Sequence, residues 1–149
     1  MNKHEYLQQI AAEHDYNYNC YEVDCEQFIS NLIKGFMNYL GGQPNILKLA
    51  PYGNYDRNIS YSFTEAVEFS SEDNLKRFGL LLILGIHKIN HIKFKIGKVK
   101  GKYYVGVGVG EESKEFYIED QQACNLSIVY DYIYKTYEDY YKAEIKANI

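Results

Sequence analysis

The lysines between residues 88 and 102 are the side chains whose type and spacing point most directly to a chemistry. Lys93 and Lys95 share the polar face of a predicted strand, and further lysines follow at the tip of a predicted hairpin. A ribbon of this charge gains affinity for phosphates by releasing counterions, and the neighbouring Tyr103 or Tyr104 could stack on bases. One hypothesis is therefore a nucleotide or nucleic-acid binding site formed by Lys93, Lys95, Lys98, Lys100 and Lys102.

The distribution of charge agrees with this hypothesis but also offers simpler explanations. Residues 74–110 hold eight Lys and Arg and no Asp or Glu, a charge of +8. The rest of the chain holds eight basic and 20 acidic residues, a charge of −12, so that the net charge is −4. Lysines on an edge strand also prevent unwanted sheet pairing, and they can pair with acidic helices of the same domain. The sequence predicts two surfaces of opposite sign and leaves the role of the lysines open.

The last predicted helix carries a row of tyrosines, in a chain with 17 Tyr, 7 Phe and no Trp. Tyr joins an apolar ring to a polar hydroxyl, which suits interfaces as well as core edges. The small size of the chain, the excess of acidic residues outside 74–110 and the lack of a catalytic motif favour a non-catalytic binding protein that docks on a larger protein. It would be a regulator, chaperone or inhibitor, as immunity and phage anti-defence proteins are. The candidate partner-binding residues are Tyr130, Tyr134, Tyr137 and Tyr141, unless this stripe belongs to the core.

Residues with catalytic or metal-binding potential form no familiar motif in the sequence. His87 and His91 are four residues apart, a spacing seen in metal sites on helices, but no third ligand stands at a suitable spacing. Cys25 lies in the first turn of a predicted helix, where the dipole can lower a thiol pKa, yet no base accompanies it. We predict no metal, no cofactor and no catalytic residue. A small enzyme with an unrecognised site, including His87 or His91, is a third hypothesis.

Glycines alternate along the predicted strand 102–110, at Gly106, Gly108 and Gly110. They do not form a phosphate loop, which places its glycines between a strand and a helix. Alternating glycines clear side chains from one face of a sheet, so that a helix, a ligand or a second subunit can approach the backbone. Packing of a helix of the same domain is the first explanation, and a ligand cleft or a close-packed dimer is the alternative. Together with the order of elements described below, this face leads us to expect a homodimer.

Hydrophobic periodicity predicts the elements that position these residues. Helices are predicted over 3–14, 24–40, 71–88 and 120–146, and strands over 45–49, 58–69, 91–99, 102–110 and 114–118. For residues 71–88 a buried strand is the alternative, because Leu80–Leu84 is apolar all round. The order α-α-β-β-α-β-β-β-α predicts a single α+β domain over 1–149, with an antiparallel sheet of about five strands flanked by helices. Residues 1–22 form its N-terminal helix and loop, and 23–149 its main unit.

From the second helix onward, the predicted order resembles that of roadblock-type dimerisation domains and partly that of dimeric secretion chaperones. The likeness concerns element order alone, which carries no function with it.

The composition favours a soluble protein of a reducing compartment. The longest apolar run, 78–86, is far shorter than the ~20 residues of a spanning helix, and the first residues lack the apolar stretch of a signal peptide. The three cysteines, Cys20, Cys25 and Cys124, form no CxxC pair. We expect a cytoplasmic protein, in a cell or an infected host, without a membrane partner.

Overall fold

The computed structural model describes residues 1–122 and 124–147, except the side chains of residues 18–20 and 121. The helices are α1 (Lys3–Tyr39), α2 (Phe63–Ala66) and α3 (Ser127–Ala147), and a 3-10 turn spans Asp120–Gln122. The strands are β1 (Leu47–Ala50), β2 (Glu68–Ser70), β3 (Leu75–Gly85), β4 (Lys88–Val99), β5 (Lys102–Val109) and β6 (Glu112–Glu119). Within these described ranges, no helix is both long and apolar enough to cross a membrane.

The six strands form one antiparallel sheet in the order β1-β3-β4-β5-β6, and β2 pairs with the part of β3 that β1 leaves free. The hairpin between β4 and β5 turns at Lys100 and Gly101, whose φ values of 50° and 78° are those of the predicted tight turn. The predicted α+β fold with an antiparallel sheet is confirmed, and the observed order of elements follows the predicted order roughly.

Both long helices pack on the same face of the sheet. That face carries Ile92, Phe94 and Ile96 of β4, which are fully buried in one cluster with apolar side chains of α1 and α3. We call the opposite face the open face. Strand register places Arg77, Lys93, Lys95, Gly106 and Gly108 together on it, and the loop after β1 covers only part of it.

α1 is one continuous helix, so the predicted loop over 15–21 is wrong. This segment has no Gly or Pro, and its Asp, Asn and Tyr residues each cost only about 0.7 kcal/mol or less relative to Ala in a helix. Extending a helix costs less than nucleating a new one, so the helix start that we predicted at residue 24 lies inside α1. The helix begins at an Asn2–Glu5 capping box and ends, as predicted, just before Gly41–Gly42.

Residues 75–85 form β3, so the helix that we favoured over 71–88 is wrong and the alternative, a buried strand, is correct. β3 is paired along both edges. Phe78, Leu80 and Leu81 are each at most 1% exposed, because both faces of this strand are covered. Such a strand shows a continuous apolar run without alternation, and periodicity alone does not separate it from a helix.

The predicted strand over 58–69 is also wrong, apart from its end in β2. On this edge of β3, β1 pairs with Gly79–Leu82 and β2 pairs with Leu75–Arg77, which leaves no partner for a longer strand. Ser62 and Glu65 instead form the capping box of α2.

The sequence predicted that the last helix begins at Asp120, but α3 begins at Ser127. Asp120 starts the 3-10 turn, where its backbone N–H donates to the carbonyl oxygen of Gly101 at 3.0 Å. Its carboxylate lies 3.3 Å from Lys98 Nζ. These contacts hold Asp120 at the end of the sheet, so it does not cap the helix.

Candidate functional site

The candidate lysines are divided between the two faces of β4. Lys93 and Lys95 lie on the open face, whereas Lys98 is an odd number of residues away and lies on the helix-covered face. There its Nζ is 3.1 Å from Asp24 Oδ2 and 3.3 Å from Asp120 Oδ2. The alternation of a strand therefore separates Lys98 from the first two lysines.

The other two candidates lie at the hairpin tip. Lys102 Nζ is 3.3 Å from Glu119 Oε1, and Lys100 is exposed in the turn. Half of the eight cations of residues 74–110 are in ion pairs with acids from outside that segment: Lys76 with Glu22, Arg77 with Asp73, Lys98 with Asp24 and Asp120, and Lys102 with Glu119. The predicted separation of charge is thus partly cancelled by folding.

On the open face, three cations surround the ring of Tyr52. The Nζ atoms of Lys93 and Lys95 lie 5.3 and 5.8 Å from the ring centroid, and Arg77 Cζ lies 6.0 Å from it. Sequence reasoning missed Tyr52, because it belongs to a loop without periodicity. It also missed Arg77 as a neighbour of Lys95, because that register exists only when residues 75–85 form a strand.

Acidic groups compensate this cluster unevenly. Asp73 accepts hydrogen bonds from both terminal nitrogens of Arg77, and these bonds lower the pKa of Asp73 to about 2. Among the side chains that the structure describes, Lys93 and Lys95 have no ion-pair partner. Cation–π contacts hold a lysine in place without neutralising it, so these two charges remain available to an anion.

The glycines of β5 leave a part of the open face beside the lysines without side chains, and we call this exposed stretch of backbone the floor of the open face. A Cβ atom at Gly106 would lie 2.9 Å from the hydroxyl oxygen of Tyr104, so glycine lets the Tyr104 side chain lie down along the sheet. The same hydroxyl donates to Glu115 Oε1 at 3.0 Å. Burial and this bond raise the pKa of Tyr104 to about 12, which keeps the phenol protonated at neutral pH. At Gly108 the nearest side-chain atom is Lys93 Cβ, at 3.6 Å, so the floor is open there.

The four candidate tyrosines of α3 have different environments. Tyr130 is 6% exposed, and its hydroxyl donates to the carbonyl oxygen of Leu32 at 2.9 Å, so it is a core residue. Tyr134 is half exposed and lies edge-on to Tyr39 of α1, with ring centroids 6.2 Å apart. Tyr137 and Tyr141 line a cleft instead. The predicted row is therefore not one surface.

This cleft, which we call the α3 cleft, lies between α3 and one end of the sheet, and its volume is about 1270 Å³. Four tyrosines line it: Tyr132, Tyr137, Tyr140 and Tyr141. Tyr141 joins its two walls, because its hydroxyl donates to Asn90 Oδ1 of β4 at 2.9 Å. Burial raises the pKa of Tyr137, so its hydroxyl stays protonated and can donate or accept a hydrogen bond.

Both signs of charge stand around the α3 cleft. Lys88 and Lys114 line it together with Glu111 and Glu112. Lys88 Nζ lies 5.6 Å from the ring of Tyr141. This mixture favours a ligand that is itself polar and amphipathic over one of a single charge.

His87 and His91 both line the α3 cleft. His91 Nε2 is 2.9 Å from the carbonyl oxygen of Pro51, and burial lowers the pKa of His91. His87 is exposed between β3 and β4. Cys25 is fully buried, which raises its pKa, Cys124 is exposed, and the side chain of Cys20 lies outside the described residues. Across the described part of the chain, no three His, Cys, Asp or Glu side chains are grouped as metal ligands.

Comparison with known proteins finds no family model, no curated protein and no solved structure that matches this chain.

Proposed function

We propose that this chain is a non-catalytic binding protein that regulates or inhibits a larger protein by holding a segment of it in the α3 cleft. The observation that carries this proposal is the lining of the cleft by Tyr132, Tyr137, Tyr140 and Tyr141. Tyrosine is enriched at protein interfaces because its ring gives a large contact area and loses little rotamer freedom, and its hydroxyl pairs with backbone groups.

The size of the cleft favours a polypeptide over a small molecule. Its volume of about 1270 Å³ exceeds the roughly 300–1,000 Å³ of small-molecule pockets. A peptide presents hydrogen-bonding groups along its length together with apolar and charged side chains. The cleft offers phenol hydroxyls, apolar ring faces and rim charges of both signs, among them Lys114 and Glu112.

The first half of α1 offers a second contact surface for protein. Every residue from 1 to 17 is exposed, including Tyr6, Leu7 and Ile10, which lie on one helix face and are exposed by 58%, 63% and 42%. A helix with an uncovered apolar stripe gains stability when another polypeptide covers it. We propose that a second copy of this chain does so. A dimeric mass from light scattering at high concentration supports this, and a monomeric mass contradicts it.

The proposal is tested by affinity purification of the tagged full chain from native lysate, with quantitative mass spectrometry. Tyr140→Ala removes a cleft residue that is 54% exposed, and Tyr117→Ala, on β6 outside the cleft, removes a tyrosine that is 59% exposed. We expect Tyr140→Ala to reduce recovery of the partner about tenfold or more, as a hot-spot residue does, and Tyr117→Ala to leave it unchanged. Equal recovery with both variants contradicts the proposal, as does recovery of no protein partner by the unmodified chain.

A further inference from the structure

We propose that the open face binds a nucleoside phosphate, with the phosphate held by Lys93 and Lys95 beside the glycines of β5 and the base on the side chain of Tyr104. This site is separate from the α3 cleft and does not depend on the function proposed for it.

The position of the phosphate follows from the distribution of unpaired charge and free space. Lys93 is the register partner of Gly108, where no side chain covers the backbone, and Lys95 is the register partner of Gly106 on the same face. Tyr52 contacts both ammonium groups without neutralising them. Ser113 is the register partner of Gly108 on β6, where its hydroxyl can add a donor. Arg77 is committed to Asp73 and contributes less. Two ammonium groups above an exposed backbone suit a phosphate, which has several acceptor oxygens and a double charge.

The position of the base follows from the glycine at 106. The phenol of Tyr104 and Cβ of Lys95 both lie within 3.4 Å of the point where a Cβ of residue 106 would stand. A ring lying along the sheet therefore adjoins the cation cluster. An aromatic side chain beside cations on an open sheet is how single-stranded nucleic acids are held, by stacking of bases and pairing of phosphates. The carboxylate of Glu115, which accepts the Tyr104 hydroxyl, anchors this ring and closes the site against further anions on that side.

Two sources can supply such a ligand: a free nucleotide or a nucleotide unit of a single strand. Fluorescence or calorimetric titration of the full chain with adenosine monophosphate, a short oligothymidylate and inorganic phosphate compares them. Binding of either nucleotide ligand more tightly than inorganic phosphate supports the proposal. If oligothymidylate binds much more tightly than adenosine monophosphate, the site is one for single-stranded nucleic acid. If the two affinities are similar, the site is one for a free nucleotide. The proposal is overturned if neither adenosine monophosphate nor oligothymidylate binds at low salt. It is also overturned if inorganic phosphate binds as tightly as both of these ligands.

Charge variants locate the site. Lys93→Gln with Lys95→Gln should weaken nucleotide binding at least about tenfold, because each charged hydrogen bond contributes that much. Lys34→Gln with Lys146→Gln changes the net charge equally at exposed positions on the helices, and should have little effect. If the protein neutralises two phosphates of a single-stranded oligonucleotide, its affinity should fall about sevenfold from ~50 to ~200 mM salt. The variant with both Lys93→Gln and Lys95→Gln should lose most of this salt dependence. Equal losses in the two double variants overturn the proposal.

The tyrosine is tested by its own pair of variants. Tyr104→Phe keeps the ring and removes the bond to Glu115, so we expect it to retain most of the binding. Tyr104→Leu removes the stacking surface and should weaken nucleotide binding roughly tenfold, without changing the affinity for inorganic phosphate. If Leu and Phe at this position bind nucleotide equally well, the base does not rest on Tyr104 and the proposal fails. Thermal melts of each variant report whether the fold is retained.

Discussion

Replacing Gly35 with alanine tests the placement of Tyr130 in the core. Gly35 lies within α1, where alanine usually stabilises a helix by about 1 kcal/mol relative to glycine. In this structure a Cβ at residue 35 would overlap the hydroxyl oxygen of Tyr130 and lie 3.1 Å from its Cζ. The gain in helix propensity is therefore opposed by a collision between two packed helices.

The change in the free energy of unfolding follows from the contacts that Tyr130 loses when its ring moves. Moving its ring breaks the buried hydrogen bond to the carbonyl oxygen of Leu32, 2.9 Å long, which costs about 1–3 kcal/mol. Overpacking of the core costs about 1–3 kcal/mol more. After subtraction of the propensity gain, we expect Gly35→Ala to lower the free energy of unfolding by about 3 kcal/mol. For a chain of this length, that lowers Tm by roughly 6–12 °C.

The assay is urea and thermal denaturation followed by circular dichroism, repeated in a Tyr130→Phe background. Without the hydroxyl, most of the overlap disappears, so Gly35→Ala should cost at least about 1 kcal/mol less there. Lys34→Ala is the control, since Lys34 is exposed on the same helix and its loss should change stability by about 0.5 kcal/mol or less. A stabilising Gly35→Ala, or the same cost in both backgrounds, would falsify the packing of Tyr130 against α1.

Three further predictions concern buried or paired groups. Lys76 is 5% exposed with its Nζ 2.9 Å from Glu22 Oε2. Glu22→Gln should therefore cost about 3 kcal/mol in urea melts, and Lys76→Met, which removes the buried charge, should cost less; equal costs contradict this. The pKa of Asp73 is about 2 instead of 3.8, because Arg77 donates to its carboxylate. The contribution of the ionised Asp73 carboxylate to the free energy of unfolding is complete above pH 3.8 and disappears as the pH falls toward 2. The stability difference between the unmodified chain and Asp73→Asn should shrink over that range, and a constant difference refutes the assignment. Cys25 is fully buried, and burial raises its pKa. With the other cysteines changed to serine, it should react with a thiol reagent only after unfolding, so rapid reaction of the folded chain speaks against this placement.

The two proposed sites differ in how they use side-chain charge. In the α3 cleft, cations and carboxylates such as Lys88 and Glu111 stand on one rim, which suits a polypeptide of mixed character. On the open face, Lys93 and Lys95 rest against the ring of Tyr52 and keep their charge. Loss of Tyr140 should therefore impair protein capture and leave nucleotide binding intact, whereas loss of the two lysines should do the reverse.

Local patterns were sufficient for the second half of the sheet. Strands β4 and β5 alternate apolar and polar residues, and Lys100–Gly101 between them has the chemistry of a two-residue turn. Each hairpin partner is next in sequence, so the register follows from the turn. The assignment of Lys93 and Lys95 to one face, and the low glycine floor on the neighbouring strand, were therefore available from the sequence.

Contacts between distant segments decided the rest. Residues 75–85 are a strand because β1 and β4 pair with both of its edges, a condition that no window of the sequence contains. That pairing brings Arg77 beside Lys95 and lays the loop with Tyr52 on the same face. Tyr130 is a core residue because α1 passes next to it, although its own helix shows only a row of similar tyrosines. Alternation along a strand, turn chemistry and net charge are properties of neighbouring residues, and the sequence determined them. Which side chain meets which across the sheet depends on the pairing of remote segments, and only the tertiary structure decided that.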